Sequence, residues 1–223
     1  MEKNRQSWLE KHITLPVLVH PEAEGENFVT HAIGIALSIF ATIYLLVNFS
    51  NVETTTLKVG LLVYCFSMIL LYTASALYHK LPVSDAKRFC RILDHSNIYF
   101  LIAGTYTAVL LSIGNPMMVK LTLFVWFIAL AGVAFTLIFW GRLKPLHVVL
   151  YLTMGWIIVF FWNDIVPNLK PGLFRYILAG GITYTIGVIF YAFKKIPHGH
   201  AIWHLFVLAG SILFYVGFAI YCF

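Results

Sequence analysis

Charge is what this sequence has least of. Only 11% of its 223 residues are Asp, Glu, Lys or Arg, against about 25% in an ordinary soluble domain. With 61% apolar and 17% aromatic residues and a mean hydropathy of +0.86, there is too little polar surface to cover a soluble globule. The same composition excludes a disordered chain, which is poor in apolar residues. Cysteine is scarce as well. Cys65, Cys90 and Cys222 form no CxxC pair and no even set, so neither a disulfide framework nor a thiolate zinc site is indicated. The first twenty residues include Glu2, Lys3, Arg5, Glu10 and Lys11 and no apolar stretch, and no cleaved signal peptide is expected.

Long apolar runs are abundant. About 20 apolar residues are needed for a helix to cross a bilayer, because each residue rises only about 1.5 Å. Seven segments meet that template: Phe28–Phe49, Val59–Tyr78, Ser96–Ile113, Leu121–Trp140, Leu146–Trp162, Leu173–Phe193 and Ala201–Tyr221. All eight prolines fall outside them, as breakers should. No charged residue lies in the middle of any run. The runs are too continuous for the alternating strands of an outer-membrane barrel. The expected fold is an all-α, seven-transmembrane helix bundle over residues 28–223, preceded by a tail over residues 1–27.

The basic residues orient it. Lys3, Arg5, Lys11, Lys80, Lys87, Arg88, Arg91, Arg142, Lys144, Lys194 and Lys195 fall on one side, against Lys58, Lys120, Lys170 and Arg175 on the other. This bias predicts a cytoplasmic N-terminus and an outside C-terminus. It also accounts for most of the net charge of +6, so nucleic acid is not an expected partner. No inverted repeat is visible, which weakens a secondary-transporter reading.

In that topology all nine histidines fall at the cytoplasmic side: His12, His20, His31, His79, His95, His147, His198, His200 and His204. Histidine favours interfaces in any case, but two spacings sharpen the pattern. His200 and His204 are one helical turn apart and share a face. Ser75 and His79 repeat that spacing, and Asp94 enters the next run at a similar depth. Titratable groups near a bilayer usually face the bundle interior. Three neutral imidazoles with a fourth position open are the donor set of a catalytic zinc site. Such an ion lowers the pKa of a bound water to about 7 and polarises a carbonyl. His79, His200 and His204 are therefore the candidate ligands, with Asp94 as general base or water partner and Ser75 orienting a ligand or substrate oxygen.

The pattern Ser75-x-x-x-His79, Asp94, His200-x-x-x-His204 on seven spans resembles the PAQR family, specifically its bacterial hemolysin III branch. Glu26–Gly34, Tyr72–His79 and Leu93–Ser96 look like that family's successive motifs, and the resemblance covers roughly residues 20–223. It implies a zinc ion held by His79, His200 and His204 near the cytoplasmic face, with Asp94 beside the zinc-bound water and Ser75 next to the site. It also implies kinship with membrane hydrolases, including ceramidases that cleave lipid amides, and a bacterial inner membrane location. Glu26, Asn27 and His31 are candidates to support the ligands from behind. Asn27 and Thr30 also read as ordinary polar groups of a helix N-terminus. His95, about 100° around the helix from Asp94, is not expected to face the same metal.

Two functional readings follow. One is a zinc-dependent hydrolase acting on a membrane lipid, most plausibly a ceramide-like amide. The other is a non-enzymatic homeostasis factor or pore-forming protein in which zinc is structural. Proton transport is disfavoured, because no Asp, Glu or His lies in the outer half of any span to complete a relay.

Overall fold

A computed structural model describes residues 7–16, 22–193 and 195–223. Lys3, Arg5, His20 and Lys194, which enter the charge and histidine patterns, lie outside the described residues. A short helix, α1 (Trp8–His12), precedes α2 (Glu22–Val47), α3 (Thr55–Lys80), α4 (Asp85–Ile113) and α5 (Pro116–Ile138). Then come α6 (Lys144–Gly155), α7 (Trp162–Ile165), α8 (Leu173–Ala192) and α9 (Gly199–Cys222). No strand occurs among the described residues.

Local chemistry sets the helix ends. The side chains of Thr54, Ser84 and Asn115 accept from the backbone N–H three residues on, at 3.2, 3.2 and 3.0 Å, satisfying donors that a helix start leaves free. Pro116 opens α5, where its missing N–H costs nothing. Gly114, at φ 75°, ends α4 in a left-handed turn. Because Ser84 caps so early, α4 starts eleven residues before the run expected at Ser96. Asp94 and His95 are consequently interior helical residues. Likewise α2 starts at Glu22 rather than Phe28, which places Glu24, Asn27 and His31 on helix, spaced i, i+3 and i+7 along one face.

Six helices, α2, α3, α4, α5, α8 and α9, are long and apolar enough to cross a membrane. Their outward faces carry exposed Phe40, Val47, Phe127 and Ile138, as lipid contact requires. The chain is a multi-pass membrane protein.

The expected fifth span, Leu146–Trp162, is not one helix. Its 12-residue α6 stops at Gly155 and gives way to a 3-10 turn at Ile157–Val159, then α7 and a second 3-10 turn at Val166–Asn168. Twelve residues rise only about 18 Å, short of the roughly 30 Å hydrocarbon core. Tyr106 of α4 repairs the break. Its hydroxyl donates to the Gly155 carbonyl at 2.8 Å and accepts from the Ile158 N–H at 2.9 Å. Apolar periodicity cannot register such a break, because a distant side chain supplies the partners that irregular backbone needs in a membrane.

The helices form a ring around an interior space. α3 is flanked by α2 and α4, α2 also meets α9, α9 pairs with α8, and α6 sits between α8, α4 and α5. Within this ring α3 and α4 are the most buried spans. Ser211 of α9 ties three helices at mid-depth. It accepts from Tyr72 of α3 at 2.7 Å, meets the Tyr184 hydroxyl of α8 at 2.7 Å, and donates to its own helix at the Val207 carbonyl.

Candidate metal centre

The centre lies at the end of the ring where α2, α4 and α9 begin and α3 ends. His79 comes from the last turn of α3, and His200 and His204 come from the first two turns of α9. One ligand atom from each lies within 4.8 Å of the other two. The ring centroids are 5.3 Å apart for His79 and His200, 5.2 Å for His79 and His204, and 4.5 Å for His200 and His204. His79 and His204 are buried, at 5% and 2% exposure.

Hydrogen bonds on the far side of two rings decide which nitrogens face inward. The Thr30 hydroxyl gives its proton to the Asn27 carbonyl at 2.9 Å, so its oxygen accepts from His204 Nδ1–H at 3.0 Å. His204 Nε2 is left with a lone pair. Similarly, the Glu24 carboxylate accepts from His79 Nδ1–H at 3.3 Å, and His79 Nε2 is buried with no hydrogen-bond partner among the described residues. A buried nitrogen lacking a partner is costly, and a cation would satisfy it. Neutral imidazoles backed by a carboxylate or another oxygen are the usual surroundings of a protein-bound zinc ion. The donor set therefore fits.

Glu24 is held in turn by Lys87, whose ammonium reaches Glu24 Oε2 at 2.8 Å and the carbonyls of Tyr78 and Leu81 at 2.8 and 3.1 Å. One buried cation thus joins α2, the end of α3 and the start of α4 behind the cluster.

The remaining expected residues take different places. Asp94 lies within electrostatic reach of His31, His79 and His95 and beside the fully buried Ser75 hydroxyl. It is deep in the bundle, yet keeps accessible surface because it lines the interior cavity. His31, at 3% exposure, stacks on His204 with centroids 3.6 Å apart and planes 15° apart. An imidazole lone pair lies in its ring plane, so two stacked rings cannot both aim at one point. His31 is a neighbour of the cluster, and both its nitrogens lack hydrogen-bond partners among the described residues. Asn27 offers its carbonyl to His204 Nδ1 at 3.3 Å. Glu26, expected to support the ligands, instead meets His198 at 2.7 Å on the rim. His95 packs edge-on against Trp140.

Sequence reasoning missed Glu24, and it treated Thr30 as an ordinary helix-start residue. Glu24 stands seven residues before His31, two turns along the same face, a signal that could have singled it out over Glu26.

A cavity of about 480 Å³ runs from this cluster down the ring. Its α4 wall extends from Asp94 through Ile98, Leu101 and Thr105 to Val109, which is about 22 Å of helix. Trp162 and Phe174, ring to ring at 5.1 Å, line the far end. The lining is mainly apolar, with the charged and imidazole side chains at the histidine end and Thr105, Tyr106, Tyr184 and Thr185 further along.

Fold and site together define a polytopic helical membrane protein with a three-histidine cluster over an apolar interior cavity. The chain matches the Haemolysin-III related family across residues 20–215 and belongs to it. Hemolysin-3 of Bacillus cereus is 42% identical over 200 residues, 86% of this chain and 91% of that protein. The Hemolysin-3 homolog of Bacillus subtilis (strain 168) is 39% identical over 200 residues, 89% and 94% respectively. The human monocyte to macrophage differentiation factor, a PAQR-type relative, is 28% identical over 168 residues, covering 71% of this chain and 68% of its own length.

Proposed function

We propose that this protein is a zinc-dependent membrane hydrolase that cleaves an amide bond in a lipid. The observation that carries the reading is the meeting of His79, His200 and His204 at the head of an apolar cavity deep enough to take a lipid tail. Zinc bound there would supply a Lewis acid for the scissile carbonyl and a more acidic water. The chain's own residues divide the rest. Glu24 and Thr30 hold two imidazoles in the tautomer that presents Nε2. Asp94 takes the proton of the attacking water and returns it to the leaving amine. Ser75, fully buried beside Asp94, is placed to orient a ligand or a substrate oxygen. The apolar walls bind the lipid chain and exclude bulk water from the reacting carbonyl.

The same reading has seven crossings, a cytoplasmic N-terminus, an outside C-terminus and residence in the bacterial plasma membrane. The broken α6–α7 segment would be the fifth crossing. Supporting this, Lys170, just before α8, bonds to Glu53 in the α2–α3 connection at 2.7 Å, far along the bundle from the histidines. The basic residues collect at the histidine end, as inward-facing loops do.

The test pairs metal analysis with lipid hydrolysis on one set of samples: wild type, His200→Ala and Asp94→Ala. Wild type should hold stoichiometric zinc and release fatty acid from an N-acyl lipid. His200→Ala should lose both, and Asp94→Ala should keep zinc while losing at least about 100-fold in turnover. Full lipid cleavage by Asp94→Ala would end this mechanism. Conductance in planar bilayers that survives both zinc removal and His200→Ala would favour a pore instead.

A further inference from the structure

Arg91 is an arginine that lines the cavity, and no described residue provides it with an ion pair. It stands one turn before Asp94 on α4, at the histidine end. Its guanidinium lies over the Trp140 ring at 5.3 Å from the centroid, a contact made through the face of the guanidinium. Arg91 Nε and Nη1 are buried and have no acceptor among the described residues, and neither has the buried Trp140 Nε1. The nearby described carboxylates are committed elsewhere. Glu24 holds His79 and Lys87, Glu26 holds His198, and Asp85 reaches Arg88. Asp94 lies beside Ser75 and among imidazoles.

Buried N–H donors without acceptors are rare in native proteins, and a guanidinium without one is costlier than a neutral group. A planar fork of donors on the wall of a cavity matches a carboxylate or phosphate oxygen pair. Arg91 shares the histidine end of the cavity, which leaves the apolar remainder for the acyl chain. On the hydrolase reading the histidine cluster takes the carbonyl, and Arg91 takes the polar group beyond the scissile bond.

We infer that the lipid recognised here bears an anionic group, a carboxylate or phosphate, on its leaving half, and that Arg91 binds it. The assignment rests on the hydrolase reading and narrows it away from neutral lipids of the ceramide type.

The test uses purified full-length protein in detergent and three probes: N-palmitoylglycine, neutral N-palmitoylethanolamine and inorganic phosphate alone. Wild type should bind the glycine conjugate at least about tenfold more tightly than the ethanolamide, the scale of a charged hydrogen bond. Arg91→Gln should erase that preference and leave ethanolamide affinity unchanged, which also reports that the variant is folded. Arg91→Lys, which keeps the charge but not the fork, should lower the preference without abolishing it, and it serves alone if Arg91→Gln does not fold. An undiminished preference in either variant overturns the inference. So does phosphate binding as tight as that of the glycine conjugate, which would make this a free-anion site. Arg91-dependent binding by a protein that cleaves no lipid amide would leave this site standing and end the hydrolase reading. Cleavage of both amides with equal efficiency by wild type and Arg91→Gln would do the reverse.

Discussion

Glu24 and His79, 55 residues apart in the chain, meet at 3.3 Å between Oε1 and Nδ1, and Lys87 holds the other carboxylate oxygen at 2.8 Å. This contact spans α2 and α3 and leaves His79 Nε2 facing the cluster. An outer partner of this kind fixes ring orientation and raises ligand basicity.

Replacing that carboxylate should weaken the metal site without emptying it. Glu24→Gln is expected to lower zinc affinity by about 10- to 100-fold, measured by competition with a chelator of known affinity. Glu26→Gln, which breaks only the rim contact with His198, should leave affinity unchanged. Equal effects from the two variants would remove Glu24 from its assigned role.

Ser211 anchors the mid-depth network, and its loss should be felt as stability. Ser211→Ala removes the partner shared by the buried Tyr72 and Tyr184 hydroxyls. Stranding such groups costs about 1–3 kcal/mol each. A lower unfolding temperature in detergent with zinc content unchanged is the expected result. An unshifted melting curve would mean that the hydroxyls find other partners.

Topology can be read from the exposed connections. In a background with Cys65, Cys90 and Cys222 replaced, Asn51→Cys and Asn168→Cys should react with a membrane-impermeant maleimide on intact cells. Val83→Cys should react only after permeabilisation. Protection of Asn168→Cys alongside labelling of Asn51→Cys would show that the broken α6–α7 segment does not cross.

Six of the seven apolar runs were readable from the sequence, because membrane insertion imposes length and polarity on each helix separately. The His200/His204 pair and the Ser75/His79 pair were readable too, since a one-turn spacing is a local property of a helix. The helix starts at Glu22 and Asp85 were not. A polar first turn lowers mean hydropathy even where cap and packing continue the helix, as at Ser84.

What tertiary structure alone decided is which groups meet across helices. Glu24 rather than Glu26 reaches His79, His31 stacks on His204 instead of pointing with it, and Tyr106 completes the backbone where α6 breaks. Arg91 comes to rest on Trp140 with Nε and Nη1 meeting no acceptor among the described residues. Each depends on the rotation of one helix against another. That rotation is set by side-chain packing across long sequence separations, and no periodicity within a single helix encodes it.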